Sequence, residues 1–218
     1  LPAVGSKKVL EMSAWLLLAC AISNTQLGRI LKSSERNKWP RAVRIVLLLM
    51  VLALVASWLW RQPFSVVARE GWKLSRLPAP TAIAVPVQGI KPRQIADTFG
   101  APRGRERKHH GVDIFAKRGT PVVAATPGVV AAVRDSGLGG RQVWVIGPAG
   151  QRHYYAHLQD WAPGLAYGRV VQAGDVLGFV GDSGNARGTP PHLHYGIYGG
   201  DGPFDPLPLM HAGQPRKR

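Results

Sequence analysis

The sequence predicts a mainly β protein, a compact antiparallel β-sheet domain preceded by one apolar helix. Three observations carry this reading. Of 26 glycines and 18 prolines, 23 and 15 fall in residues 77–218. Between these turn formers lie short apolar runs of strand length with no convincing helical stripe. The clearest apolar stretch, the uncharged run from Ile45 to Trp60, stands apart from them in the first third of the chain.

Taken in order, residues 1–44 read as a polar N-terminal segment containing one apolar run, Met12 to Ile22, whose eleven residues are too few to span a bilayer. Cys20 lies in that run and reads as a plain apolar residue. As the single cysteine it excludes an intrachain disulfide framework and every Cys-rich zinc module. Ile45 to Trp60 supplies sixteen mostly apolar residues, roughly 24 Å of helix against a hydrocarbon core about 30 Å thick. Arg44 and Arg61 at its ends can snorkel, and Trp58 and Trp60 suit an interface. The segment is therefore expected to be a transmembrane anchor. Lys32, Arg36, Lys38, Arg41 and Arg44 precede it, whereas Arg61, Arg69 and Lys73 follow, which puts residues 1–44 in the cytoplasm and the rest across the membrane. Val55-Ala56-Ser57 would serve as a signal-peptide cleavage site, but a 44-residue leader argues against one. Residues 61–86 read as a juxtamembrane linker, with Leu77-Pro78-Ala79-Pro80 as its clearest part.

The formal charge of +16 divides almost evenly, 12 basic against 3 acidic residues in 1–76 and 16 against 9 in 77–218. It is not a single basic arm. Basic residues interleaved with stacking aromatics are missing, so nucleic-acid binding is not expected. Attraction to anionic polymers or lipid headgroups accounts for the charge.

Beyond the linker, Gln94 to Phe99 is expected to form a helical turn stopped by Gly100 and Pro102. Strand-sized runs follow: Pro121 to Ala125, Gly128 to Val133, Gln142 to Ile146, His153 to Leu158, Arg169 to Gln172 and Val176 to Val180. The last run begins at His192 (HLHYGIY), and residues 210–218 form a basic tail.

All seven histidines lie between residues 109 and 211. His192 and His194, two apart on a predicted strand, share one face, with Leu193 turned to the other. His109 and Asp113 are four apart; fully extended they would lie about 13 Å from each other, so a bend is required, and Gly111 permits one. His157 has Tyr155 as its partner in strand alternation. His109, Asp113 and one histidine of the 192/194 pair offer the three ligands of a catalytic zinc site with a position left for water. His157 and the other histidine are then acid/base candidates beside the ion. Spacing alone does not choose between His192 and His194.

The ordered blocks from Val87 to Leu209 resemble the lysostaphin-like zinc endopeptidases that cut the peptide part of bacterial peptidoglycan. They are His109-x-Gly111-Val112-Asp113-Ile114, Gly119-Thr120-Pro121-Val122, Tyr155-Ala156-His157-Leu158, Gly174-Asp175-x-Leu177-Gly178, Gly181-x-Ser183-Gly184 and His192-Leu193-His194. The resemblance implies a groove-bearing metallopeptidase domain over 87–209, one Zn²⁺ held by His109, Asp113 and His194, and catalytic roles for His157 and His192 beside an activated water. Tyr155 would lie near the reaction centre. Asn185 and Arg187, in the Gly/Pro loop from Asp182 to Pro191, offer groups for a substrate carbonyl or carboxylate. Tyr195-Gly196 stands where many relatives carry Phe-Glu, a departure that bears on substrate preference. The expected protein is a single-pass, inner-membrane peptidoglycan endopeptidase with its domain on the periplasmic side. The alternative is a catalytically silent or autoinhibited cell-wall module that regulates other hydrolases.

Overall fold

The computed structural model describes residues 40–104 and 107–213. Met12 to Ile22, Cys20 and the end of the basic tail lie outside the described residues. The chain divides into two units, one ending at Val55 and the other beginning at Ala56.

Helix α1, Arg41–Trp60, starts four residues ahead of the apolar run and takes in Arg41 and Arg44. Pro40 precedes it, its carbonyl accepting from the Val43 and Arg44 amides. Twenty residues give about 30 Å, which removes the shortfall of the sixteen-residue reading. It is the one helix among the described residues that is long and apolar enough to cross a membrane.

The second unit is built on strands β1 (Pro102–Arg103), β2 (Arg107–Lys108), β3 (Val112–Phe115), β4 (Pro121–Val123), β5 (Gly128–Asp135), β6 (Arg141–Ile146), β7 (Arg152–Trp161), β8 (Val170–Val171), β9 (Val176–Val180), β10 (His192–Gly199) and β11 (Gly202–Phe204). β1 and β2 pair only with each other; the other nine form one antiparallel sheet in the order β11-β10-β7-β6-β5-β8. β3 pairs with β10, β9 with β7, and β4 with β9. Each expected strand run from 121 to 198 contains a strand, although Ala124 and Ala125 lie beyond β4, and Arg169 and Gln172 flank β8. Alternation along them decides the core: Val112 and Ile114 of β3, Val143 and Val145 of β6, and Leu193, Tyr195 and Ile197 of β10 are fully buried.

Three boundaries differ from the sequence reading. The segment read as a linker contains helix α2, Pro63–Ser75, whose half-buried side rests on β5 and on the turn at 148–150. Its sequence, PFSVVAREGWKLS, has β-branched residues, two serines and a glycine that weaken intrinsic helix propensity, so packing selects the helix. The helical turn expected at 94–99 is a single 3₁₀ turn at Pro92–Gln94, capped by the Lys91 amide donating to Gln94 Oε1 at 2.8 Å. The domain core also reaches back to Ile83, whose amide donates to the Leu209 carbonyl at 3.0 Å, and forward into helix α3 (Leu207–Ala212), where Met210 is fully buried.

His153 is buried beneath β10, its Nδ1 2.7 Å from the Tyr195 hydroxyl. Burial pushes its pKa from 6.5 down to about 4. Between those values the unfolded chain binds a proton that the folded chain does not. The contribution of this residue to stability is therefore full above pH 6.5 and is lost as the pH falls toward 4. Unfolding midpoints of the parent chain and His153→Phe, measured in detergent across that window, should diverge: the variant loses stability less steeply, by about 1.4 kcal/mol per pH unit.

Candidate metal and catalytic centre

The centre begins with the register of β10. His194 lies directly opposite Asp113 of β3 on one side and Ala156 of β7 on the other. Leu193 and Tyr195 occupy the core face, so His192 and His194 take the opposite one, and Asp113 joins them because Val112 and Ile114 face inward. Directly opposed residues of an antiparallel pair hold their Cβ atoms about 5 Å apart, close enough for a carboxylate and an imidazole to meet. His109 reaches the same point from just before β3. Its amide donates to the Ala101 carbonyl at 2.8 Å, and its Nδ1 donates to the Thr98 carbonyl at 2.7 Å, which turns Nε2 inward.

Three atoms converge as a result. His109 Nε2 is 2.8 Å from His194 Nδ1, and each is 3.1 Å from Asp113 Oδ1. Ligands about 2.0–2.2 Å from one tetrahedral ion lie roughly 3.3–3.6 Å apart, so small outward adjustments of this trio would seat a metal ion. His109, Asp113 and His194 are the metal-compatible cluster among the described residues. The donor set, two imidazole nitrogens and a carboxylate oxygen, is one that Zn²⁺ accepts with a position left open. Burial alone would raise the Asp113 pKa, but hydrogen bonds from His109, His194 and Arg103 outweigh it and hold the carboxyl far below the usual carboxylate range. Burial lowers His194, against its hydrogen bond to Asp113.

Gly111 is required here for space and not for backbone freedom. A Cβ at this position would lie 2.4 Å from the Tyr195 carbonyl oxygen and 3.0 Å from His194 Cε1. The turn between His109 and Asp113 thus packs directly on β10.

His157 and His192 stand beside the trio. Their ring centroids are 5.1 Å apart, and His157 is 6.0 Å from His194. Each is fixed by a backbone carbonyl: His157 Nδ1 donates to Ser183 at 2.9 Å, and His192 Nδ1 donates to Pro190 at 2.9 Å. Nε2 of each ring is consequently the nitrogen with the free lone pair. Burial brings the His157 pKa down to about 4, partly opposed by the Ser183 carbonyl, so the ring is neutral at pH 7.

His157 has φ of 63°, one of two non-glycine residues with positive φ among the described residues. This left-handed residue breaks the alternation of β7. Tyr154, Ala156 and His157 all line a cavity of about 880 Å³ together with His109, Asp113 and His194. Tyr155, expected to share the face of His157, is instead fully buried, its hydroxyl accepting from the Ala125 amide at 3.0 Å and its ring 5.2 Å from that of Tyr195. Tyr154 takes the place assigned to it, with its ring edge-on to His194 at 5.7 Å and stacked on Trp144. Burial, with Tyr198 nearby, raises the Tyr154 pKa to about 12, so its phenol keeps its proton.

Of the two loop residues, Asn185 lines the main cavity, whereas Arg187 lines a neighbouring pocket of about 210 Å³ with Arg118 and Arg141. The sequence reading missed Arg103. Its guanidinium donates to Asp113 Oδ2 and lies 3.1 Å from His109 Nε2. It opens the basic stretch before His109 that otherwise reads as an ordinary solvated loop.

A mainly antiparallel sheet that gathers two histidines and an aspartate at one point, with two further fixed histidines beside them, defines a metallopeptidase-like domain. Residues 107–206 match the model of peptidase family M23. The L-Ala–D-Glu endopeptidase of Bacillus subtilis is 40% identical over 126 residues, 53% of this chain and 39% of that protein. Lysostaphin of Staphylococcus simulans is 34% identical over 47% of this chain and 21% of its own length. The catalytic domain of the antimicrobial peptidase lysostaphin from the same organism aligns at 31% identity, covering 54% of this chain and 91% of that domain with a TM-score of 0.48. Residues 107–206 are thus a peptidase family M23 domain. It spans less than half the length of these two curated relatives.

Gly111→Ala should push β3 and β10 apart at the ligands. The expected cost is about 1–3 kcal/mol of stability and on the order of a tenfold loss of metal affinity. Thermal unfolding and competition with a chromophoric chelator measure the two effects.

Proposed function

We propose that the domain is a zinc-dependent endopeptidase that hydrolyses amide bonds in the peptide part of bacterial peptidoglycan. The observation that supports this most directly is the convergence of the three ligand atoms within 3.1 Å of one another, beside two histidines that each present a free Nε2. His109, Asp113 and His194 would hold the ion, which supplies Lewis acidity toward the scissile carbonyl and toward water.

The protein's own residues do the rest. Neutral His157 accepts the proton of the attacking water at Nε2, with Nδ1–H anchored on Ser183. The resulting Nε2–H can donate to the developing oxyanion or return the proton to the leaving amine. His192, anchored on Pro190, faces His157 and shares this work. The Tyr154 hydroxyl, protonated at neutral pH, is a second donor on the cavity wall. Asn185 would position a peptide carbonyl along the groove, and Arg187, in the neighbouring pocket, would reach only a substrate carboxylate that extends beyond it. Helix α1 would hold the chain in the cytoplasmic membrane as a single span, and the basic excess before it favours the domain lying on the periplasmic side.

One observation favours the second reading, a silent or autoinhibited regulator. Arg103 places its guanidinium against two of the three ligands, where a cation competes with a metal ion for the same carboxylate.

Zinc-loaded protein in detergent, incubated with isolated peptidoglycan, should release fragments with new amine and carboxyl ends by mass spectrometry. Release should stop with chelator. If zinc binds but no fragments appear, the regulatory reading replaces the enzymatic one. His194→Ala should abolish both metal binding and release. His192→Ala should keep most of the metal binding and lose release, by on the order of a hundredfold or more; normal turnover in that variant would remove His192 from the mechanism.

A further inference from the structure

We propose that α2 is an interfacial helix whose outward face lies in the headgroup region of the membrane that α1 crosses, holding the peptidase domain against an anionic lipid surface. The proposal rests on the reading of α1 as a membrane span. It starts from an inverted pattern. A helix packed on a sheet normally turns its large apolar residues inward and its polar ones to water. In α2 the half-buried residues are Ser65, Val66, Val67, Arg69, Glu70, Gly71 and Leu74, whereas Phe64, Ala68 and Trp72 are exposed, with Pro63, Lys73 and Ser75. Phe64, Ala68 and Trp72 are spaced i, i+4, i+8 and form one stripe. Phe64 is 52% and Trp72 60% exposed, so the two largest side chains of the helix point away from the domain.

Charge around the stripe fits lipid headgroups. Arg61, Arg69, Lys73 and Arg76 accompany it, and the one acid of the helix, Glu70, is paired with Lys73 at 2.9 Å. Arg69 lies 4.1 Å over the ring of Trp60, and Arg76 lies 4.1 Å over that of Trp72. Each pair joins an apolar ring to a cation, the combination that settles at the boundary between hydrocarbon and phosphate. The turn before β8 extends the surface. Gly168 packs so closely on Pro63 that a Cβ would lie 2.9 Å from Pro63 Cβ. This brings Tyr167, 43% exposed, to the start of α2, with Arg169 and the 49% exposed Val170 following.

Reach in sequence supplies the location. Only Arg61 and Gln62 separate Trp60, the last residue of α1, from Pro63. Three peptide steps extend at most about 11 Å, and the headgroup layer on each side of the bilayer is roughly 5–8 Å deep. α2 thus begins within that layer or a few ångströms beyond it. Phe64 and Trp72, eight residues apart, are about 12 Å apart along the axis, so a helix lying in the interface plane seats both rings at one depth. A protein partner would also cover an apolar stripe, but four cations around two arginine-stacked tryptophans, next to a span, match anionic lipid.

The test uses the chain with Cys20→Ser and single cysteines at Trp72→Cys, Leu52→Cys in α1, or Asp201→Cys in the β10–β11 turn. Each carries an environment-sensitive thiol fluorophore and is reconstituted in phosphatidylcholine–phosphatidylglycerol vesicles containing nitroxide lipids. Leu52 labels should be quenched by mid-chain nitroxides, Trp72 labels by headgroup-level nitroxides several-fold more than Asp201 labels. Quenching at Trp72 should weaken, and that at Leu52 persist, when phosphatidylglycerol is left out. Leu52 quenched with Trp72 as unquenched as Asp201 overturns the interfacial helix while leaving the span intact. Blue-shifted but unquenched emission at Trp72 also overturns it and indicates cover by protein. No quenching at Leu52 overturns the membrane reading itself, and this proposal with it. Phe64→Cys repeats the measurement with Trp72 in place.

Discussion

The placement of β10 between β3 and β7 is the constraint on which the centre depends. Leu193, Tyr195 and Ile197 are all fully buried, and a slip of one residue would expose the three of them to the opposite face. Each buried side chain of this size contributes about 1.5–3 kcal/mol. That same register sets His194 opposite Asp113 and Ala156. Hydrophobic burial on one face of the strand therefore fixes polar geometry on the other. The polar cluster, with its buried carboxylate and closely spaced imidazoles, would be costly to assemble without that support.

Support for the flanking histidines comes from loops rather than strands. The Ser183 carbonyl holds His157, while the Ser183 hydroxyl accepts from the Arg141 amide at 2.9 Å. The Asn185 amide donates to the Leu138 carbonyl at 2.9 Å, and the His157 amide donates to Gly139. Two loops remote in sequence are thereby tied to the residue between them. The positive φ of His157 is the local cost, of order 1–3 kcal/mol, and this hydrogen-bonded surround is what sustains it.

The sheet was largely legible in the sequence, because alternation and glycine or proline punctuation report burial directly. The metal-compatible trio was legible as a set of residue types, but spacing left His192 and His194 equivalent; family resemblance chose His194, and the geometry seats it against Asp113. Tyr155 shows where the reading failed. Alternation assumes uninterrupted extended backbone, and one left-handed residue at His157 exchanges the roles of Tyr154 and Tyr155. Helix α2 was illegible for a different reason: Ser65, Val66, Val67 and Gly71 weaken its intrinsic helix propensity, and packing on β5 and the turn at 148–150 selects the helix. Arg103 carries no signal in a stretch where basic residues are frequent.

Gly140 and Gly184 bring the two loops together at backbone distance: a Cβ on Gly140 would lie 2.3 Å from the Gly184 amide nitrogen, and one on Gly184 2.3 Å from the Leu138 carbonyl oxygen. With no side chain between them, the loops leave little space for relative movement. Leu138, Gly139 and Asn185 all line the large cavity, so that stretch of its wall is formed by two backbones in direct contact. A flexible ligand entering it would give up its own conformational entropy, while a wall so packed would have little left to lose. Selectivity at this edge then rests on fit to a preset contour: a chain that needs the opening wider meets two backbones in contact.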